Sequence, residues 1–269
     1  MSQSTVALSF VGTGKMASAI ARGILSQGVL EPNQIMGSSR GDSRFVFQQL
    51  TGSQVTDLNV DCLQASTVIL SIKPQGAEAV CKELAPFIKD QHFVSVCAGV
   101  NLESLSKWLG TNRVSRTMPN TPLSVGKGAT AFCCSDGVSD LEKETLDRYF
   151  SCSGVVAEIE ENLMNAITAL SGSGPAYVFE FVAGLVEAAV DNDIPQNIAL
   201  NFAVQTFAGA AEMLSSGLGS PVELRNAVTS PNGTTYAALE NFKSNNLRGA
   251  ISAAFQAAKD RGDELGKTT

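Results

Sequence analysis

Histidine is nearly absent from this chain: its 269 residues include one, His92. Residues 144–242 contain neither histidine nor lysine, so that stretch lacks the side chains that most often move a proton on or off an alcohol. Clusters of positive charge are also missing. Nineteen Lys plus Arg stand against 26 Asp plus Glu, a net charge of −7, which argues against nucleic acid or an anionic membrane surface as partner. None of the six cysteines (Cys62, Cys81, Cys97, Cys133, Cys134, Cys152) forms a C-x-x-C pair, and most lie in apolar runs. They read as small core residues of a reducing compartment rather than metal ligands or disulfides, and no metal site is expected. The opening MSQSTVALSF has no basic head and no long apolar core, so the expectation is a cytoplasmic protein without a secretory signal. Two uncharged runs, 162–179 and 194–211, are not expected to span a membrane. Ser-Gly-Ser-Gly-Pro interrupts the first; Pro195, Asn197, Asn201 and Gln205 mark the second.

What is present begins at residues 5–21. Val6, Leu8 and Phe10 alternate with smaller residues as a strand ending at Val11, Gly12-Thr13-Gly14-Lys15-Met16-Ala17 follows, and an apolar-periodic helix continues. G-x-G-x-x-A between a strand and a helix is the setting in which the motif binds a dinucleotide. Gly12 permits the tight turn, Gly14 lets a pyrophosphate approach the backbone, and Ala17 allows close helix–strand packing. The candidate phosphate-binding residues are therefore Val11, Gly12, Thr13, Gly14, Lys15 and Met16, with the positive end of the helix facing the anion.

An NAD site usually carries a carboxylate roughly 20 residues beyond the glycines, at the end of the second strand. Here Gln34-Ile35-Met36-Gly37 leads into Ser38-Ser39-Arg40, with two hydroxyls and a guanidinium in place of an acid. Arg40 offers a fork matched to phosphate oxygens, which favours NADPH over NADH while leaving NADH possible.

The chain is 44% hydrophobic and long enough for two domains of about 100–150 residues each. Strand and helix signals alternate as far as residue 160, which predicts a Rossmann-like, doubly wound parallel sheet over residues 1–160. Strand signals then cease, and residues 161–269 read as an all-helical domain, with helices over 161–170, 176–192, 196–216, 221–228, 235–243 and 247–265. Ligands of such sheets lie beyond the carboxyl ends of the strands. Besides the glycine turn, Ser71-Ile72-Lys73-Pro74, Cys97-Ala98-Gly99-Val100 and Met118-Pro119-Asn120-Thr121-Pro122 fall there.

The helical half holds two further constellations. Ser171-Gly172-Ser173-Gly174-Pro175 reads as the end of one helix and the start of another, with Gly172 as C-cap and Ser173 as N-cap, small residues leaving room for a substrate. Ser230-Pro231-Asn232-Gly233-Thr234-Thr235 opens another helix, and its N–H groups would form a nest for a small carboxylate unless Thr234 or Thr235 merely caps that helix. Without Lys or His in this half, a hydroxyacid dehydrogenase reaction is poorly served. Reduction of a protonated imine needs less: its carbon is already electrophilic, and positioning plus a hydrogen bond to nitrogen can suffice. Residues 175–190 are apolar on nearly every helical face, which predicts burial against a second copy, a two-fold pairing being the commonest form.

Taken with Pro221-Val222-Glu223-Leu224, Val228-Thr229, Ala238-Leu239 and Phe242-Lys243, the 230–235 stretch resembles the signature of pyrroline-5-carboxylate reductases. Gly12 to Met16, Ile72-Lys73-Pro74, Ala98-Gly99-Val100, Asn120-Thr121-Pro122 and residues 171–177 fall in that family's order. The resemblance implies NAD(P)H-dependent reduction of Δ1-pyrroline-5-carboxylate to L-proline, the last step of proline synthesis, by dimers interlocked through their helical domains. It implies that Ser230 and the N–H groups of Gly233, Thr234 and Thr235 hold the substrate carboxylate, with the Thr235 hydroxyl on the ring nitrogen. Ser39 and Asn59 would contact the adenosine ribose, and Ser71, Ile72, Lys73, Pro74 and Ala98 the nicotinamide half. Asn232 departs from the family's usual glycine, although Asn tolerates positive φ. Two other readings stand beside this one: a β-hydroxyacid dehydrogenase of similar build, and a non-catalytic NADP-binding regulator.

Overall fold

The sheet grows from four-residue segments that are buried on both faces. A computed structural model describes residues 6–267. In it β1 (Leu8–Val11), β2 (Ile35–Ser38), β4 (Thr67–Leu70) and β5 (His92–Ser95) have no exposed residue. Strands covered by helices on both sides read as near-continuous apolar runs for this reason. With β3 (Gln54–Thr56), β6 (Val114–Met118), β7 (Gly128–Cys134) and β8 (Gly154–Glu158) they form one eight-stranded sheet in the order β3-β2-β1-β4-β5-β6-β7-β8. The order reverses between β1 and β4, the switch point at which open α/β sheets bind ligands.

The sheet is not parallel throughout, as the sequence reading had it: β7 runs antiparallel to β6, and β8 follows β7. A parallel return needs a crossover of a dozen or more residues. Residues 119–127 offer only the short 3-10 turn Thr121–Val125.

Helices α1 (Lys15–Ser26), α2 (Ser43–Thr51), α3 (Ala77–Leu84), α4 (Leu102–Leu109) and α5 (Asp140–Ser151) cover the sheet. One core cluster joins Phe10, Ile20, Ile24, Phe47, Leu146 and Phe150; a second joins Leu70, Leu84, Phe93, Leu105 and Trp108. Phe47 anchors α2, fully buried with its ring 5.6 Å from that of Phe10. All six cysteines are free, and burial raises the thiols of Cys62, Cys81 and Cys133 to about 11, 12 and 12, as small core residues would be.

The chain divides into two compact units. The first runs to Ser173 and takes in the end of the chain from Ala258; the second is Gly174–Ala257. Residues 161–173 stay with the sheet because their side chains are tied to it. Met164 is fully buried with Ala131 and Cys133. Glu161 Oε1 accepts from the Leu102 N–H at 2.7 Å and pairs with Arg116 at 3.5 Å. Asn165 accepts from Arg116 and donates to Asp263 at 2.7 Å.

Ser-Gly-Ser-Gly-Pro does not cap two helices either. After α6 (Met164–Ile167) the chain makes a π turn, Thr168–Gly172, and α7 (Gly174–Val190) follows with only Ser173 between them. The wider turn closes through the Ser173 N–H on the Thr168 carbonyl at 2.8 Å. Pro175 has no N–H to give Ser171 four residues back, and Asn120 Nδ2 donates to that carbonyl instead, at 3.0 Å. Glu161–Val190 is consequently one helical stretch, long and apolar enough by length and composition to cross a membrane, and little of it is buried.

The second unit consists of α7, α8 (Gln196–Ser215), α9 (Pro221–Ala227), α10 (Thr234–Ser244) and the first half of α11 (Leu247–Lys267). Phe181 meets Phe207 and Phe242 edge-on at 5.8 and 6.3 Å, tying α7 to α8 and α10. Large apolar side chains are open on its surface: Phe179 is 68% and Phe202 72% exposed.

Candidate active site

The glycine turn is shaped by contacts that leave no choice of residue at Gly12. Its φ is +95°, and a Cβ there would lie 2.5 Å from the Ser71 carbonyl oxygen and 2.8 Å from Ile72 Cγ2. Its N–H donates to the Ser38 carbonyl at 2.9 Å, and Ser71 Oγ donates to its carbonyl at 2.5 Å. The ends of β1, β2 and β4 are thus stitched together at this residue. Gly14 is the opposite case: its φ is −75° and a Cβ would meet nothing within 4 Å.

Gly14 is also the N-cap of α1, which has no side-chain cap and no acid in its first turn. The first N–H groups of a helix lack intrahelical acceptors. An uncapped positive helix end, an exposed Lys15 and open space before Gly14 fit a pyrophosphate. A groove of about 510 Å³ reaches Thr13, Gly14, Lys15 and Met16 but runs between α1 and α2 past Arg22 and Leu50, so it borders the strand-end crevice instead of filling it.

The predicted ribose residues converge at the end of β2. Ser38 is fully buried and donates to Asn59 Oδ1 at 2.9 Å. Ser39 Oγ accepts from Ser43 Oγ at 2.9 Å, and Ser43 in turn lies 3.0 Å from Thr13 Oγ1, a hydroxyl chain from the glycine turn to the ribose end. Arg40 is exposed, and its Nη2 donates to Glu83 Oε2 at 2.9 Å. Arg44 holds the loop from below, donating to the carbonyls of Ser39 and Gly41 at 2.9 and 3.3 Å. Sequence reasoning missed Ser43, Arg44 and Glu83; the first two open α2 and belong to no motif, and the third has no local signal at all.

On the other side of the switch point, Ser71 and Ile72 are half-buried and Lys73 and Ala98 exposed, each just beyond a strand end. The Ser71 hydroxyl is engaged with the turn, so this segment presents mainly its backbone. Cys97 donates to the Ile72 carbonyl at 3.3 Å, and burial pushes its thiol up, leaving it no nucleophile. Asn120, quoted in the sequence without a role, is 8% exposed; besides donating to Ser171 it accepts from the Ala129 N–H at 2.9 Å. Ser173 is half-buried in the bend after the π turn.

The 230–235 loop belongs to the second unit. Pro231 and Asn232, with Asn232 at φ 59°, form the middle of a turn closed by the Gly233 N–H on the Ser230 carbonyl at 3.1 Å. That N–H, expected as a carboxylate donor, thus has an acceptor inside the loop. The N–H groups of Thr234 and Thr235 begin α10 and have no intrahelical acceptor. Gly233 is the N-cap and no side chain caps this helix, so neither threonine hydroxyl is engaged in capping. A Cβ at Gly233 would collide with Ser230 Oγ, which fixes that hydroxyl close against the helix start. Thr235 is half-buried; Ser230 and Thr234 are exposed. A positive helix end flanked by three hydroxyls is suited to a small carboxylate with a hydrogen-bonding neighbour.

Residues 161–265 match the family model "Pyrroline-5-carboxylate reductase dimerisation", and residues 7–99 match "NADP oxidoreductase coenzyme F420-dependent". A pyrroline-5-carboxylate reductase of Pisum sativum is 36% identical over 96% of this chain and 95% of its own length. The solved structure of a pyrroline-5-carboxylate reductase from Coxiella burnetii, 36% identical, superposes with a TM-score of 0.91 over 97% of this chain and 98% of that one. That of the Plasmodium falciparum pyrroline carboxylate reductase, solved with NADP bound, is 27% identical with a TM-score of 0.89, over 98% and 99%. Identity of this order along almost the full length of both chains, over the same two-unit architecture, leads to one conclusion: this chain belongs to the pyrroline-5-carboxylate reductase family.

Proposed function

We propose that this protein reduces Δ1-pyrroline-5-carboxylate to L-proline with NAD(P)H, the last step of proline biosynthesis. The observation that carries the reading is the start of α10. Its N–H groups and the Ser230, Thr234 and Thr235 hydroxyls are free of capping duty, in a chain with no Lys or His from residue 144 to 242. A bound reduced nicotinamide supplies a hydride to the carbon of the substrate's C=N bond. The N–H groups of Thr234 and Thr235, with the Ser230 hydroxyl, hold the substrate carboxylate at the positive end of the helix. The Thr235 hydroxyl hydrogen-bonds the ring nitrogen as its positive charge is lost, and the nitrogen keeps its proton as the amine forms. No side chain need remove a proton, which agrees with the residues this half lacks.

The dinucleotide lies along the carboxyl ends of the strands in this reading, with its pyrophosphate at Gly12, Thr13, Gly14, Lys15 and Met16. Ser38, Ser39, Arg40 and Asn59 face the adenosine ribose, and Ser71, Ile72, Lys73, Pro74 and Ala98 face the nicotinamide half. Two copies pair through their helical units in the cytoplasm. The pairing covers Phe179, Phe202 and the apolar length of α7, and the family model over 161–265 is named for dimerisation.

Mixing the purified protein with NADPH or NADH and Δ1-pyrroline-5-carboxylate tests the reading, with reduced-nicotinamide absorbance and proline followed together. Equal loss of one and gain of the other is the expected result. Cofactor binding without turnover would favour the non-catalytic regulator, and oxidation of a β-hydroxyacid in place of imine reduction would favour the dehydrogenase.

A further inference from the structure

The end of β2 lacks the carboxylate of an NAD site in sequence, yet a carboxylate stands there in space. Glu83, on α3, reaches back so that its Oε2 accepts from Arg40 Nη2 at 2.9 Å and both its oxygens lie 3.4 Å from Asn59 Nδ2. Asn59 is itself fixed, its Oδ1 accepting from the buried Ser38 hydroxyl. Glu83 is the anchored partner of the ion pair, with a side chain 33% exposed; that of Arg40 is 75% exposed. An exposed pair of this kind is weak and exchanges partners readily.

We propose that Glu83 sets the choice between NADH and NADPH. The argument rests on the reading that the adenosine ribose docks beside Ser38, Ser39 and Asn59. A ribose 2′-hydroxyl is a donor, and a carboxylate held by Asn59 can accept from it, as the acid at the end of a second strand does in NAD sites. A 2′-phosphate makes the opposite demand. It needs the Arg40 guanidinium, which is turned onto Glu83, and it brings negative charge up to a carboxylate that repels it. The same side chain therefore favours the hydroxyl and penalises the phosphate twice, once by holding Arg40 and once by its own charge. Arg40 gives the site affinity for NADPH, and Glu83 limits how far that affinity exceeds the affinity for NADH.

Glu83→Gln removes the charge and keeps both the size and an acceptor for Asn59. Calorimetric binding of adenosine 2′,5′-bisphosphate and of AMP reads the ribose site without turnover. The expected result is about ten-fold tighter binding of the bisphosphate in the variant, with AMP bound more weakly. KM should fall for NADPH and rise for NADH, with kcat at saturating cofactor unaltered. In an Arg40→Ala background only part of the gain from Glu83→Gln should remain, because the part that comes from releasing Arg40 is lost and the part that comes from Glu83's own charge is kept. A Glu83→Gln protein that melts at the wild-type temperature and keeps the wild-type ratio of bisphosphate to AMP affinity would overturn the proposal. Wild-type protein that binds neither nucleotide, or binds them indifferently to changes at Ser39 and Asn59, would overturn the ribose-site reading beneath it.

Discussion

Two glycines two residues apart should fail in opposite ways when given a methyl group. Gly12→Ala places a Cβ 2.5 Å from a main-chain oxygen, at a φ of +95°. The backbone conformation alone costs on the order of 1–3 kcal/mol for a non-glycine residue. The collision adds more, because the Ser71 carbonyl belongs to a strand end that cannot move without disturbing its neighbours. A total loss of about 3 kcal/mol or more is expected, a large share of the stability of an ordinary domain. Gly14→Ala meets nothing within 4 Å at an ordinary φ of −75°. Lower chain entropy when unfolded and a slightly poorer N-cap oppose each other there, so stability should move by less than about 1 kcal/mol. The new methyl projects into the space assigned to the pyrophosphate and holds its oxygens away from the first N–H groups of α1. Losing one charge-assisted hydrogen bond of about 1.5–3 kcal/mol weakens NADPH binding roughly 10- to 150-fold. Urea unfolding of the cofactor-free variants and calorimetric titration with NADPH measure the two effects separately. Wild-type NADPH affinity in Gly14→Ala would refute the placement of the pyrophosphate, and wild-type stability in Gly12→Ala would refute the account of the turn.

Other outcomes follow from the same geometry. Thr235→Val keeps the shape and deletes the hydroxyl, so kcat/KM for the imine should fall roughly 10- to 100-fold at unchanged NADPH affinity; steady-state kinetics with a separate binding titration would detect either failure. Asn120→Ala leaves the Ser171 carbonyl and the Ala129 N–H without their partner, and urea unfolding should register a loss of about 2–4 kcal/mol. Burial lowers His92 from 6.5 to about 4, with Glu142 and Arg113 acting on it in opposite senses and its Nε2 2.7 Å from Ser115 Oγ. Below pH 6.5 the unfolded chain takes up a proton that the folded one refuses. Stability should therefore drop by on the order of 3 kcal/mol between pH 6.5 and about 4, and His92→Gln should flatten that part of the unfolding midpoint's pH profile. Light scattering at micromolar protein should find a multiple of 28.1 kDa, and a fully active species at the monomer mass would remove the paired helical units from the account.

The sequence by itself determined the features that neighbouring residues encode. A strand, a glycine turn and a helix are dictated by local periodicity and by φ values that only certain residues adopt; β1 ends at Val11, as the pattern has it, and α1 begins three residues after Gly12. The 230–235 loop is similar: Pro231 and Asn232 write a turn into four residues, and α10 starts at once. Tertiary structure decided whatever depends on residues that meet from a distance. Nothing near Ser171-Gly172-Ser173-Gly174-Pro175 announces a π turn, because the donor that makes it tolerable, Asn120, lies about 50 residues earlier. The units divide at Ser173 because Asn165 and Met164 find their partners on β7, β6 and α11. Nor does Ser38-Ser39-Arg40 show the acid beside it. Glu83 stands 43 residues from Arg40, and only the pairing of β2 with β1, and of β1 with β4, carries α3 to that edge of the sheet. Backbone torsions are set by adjacent atoms and can be read in one dimension, whereas the charge that an arginine faces is set by strand order, which a single stretch of chain does not contain.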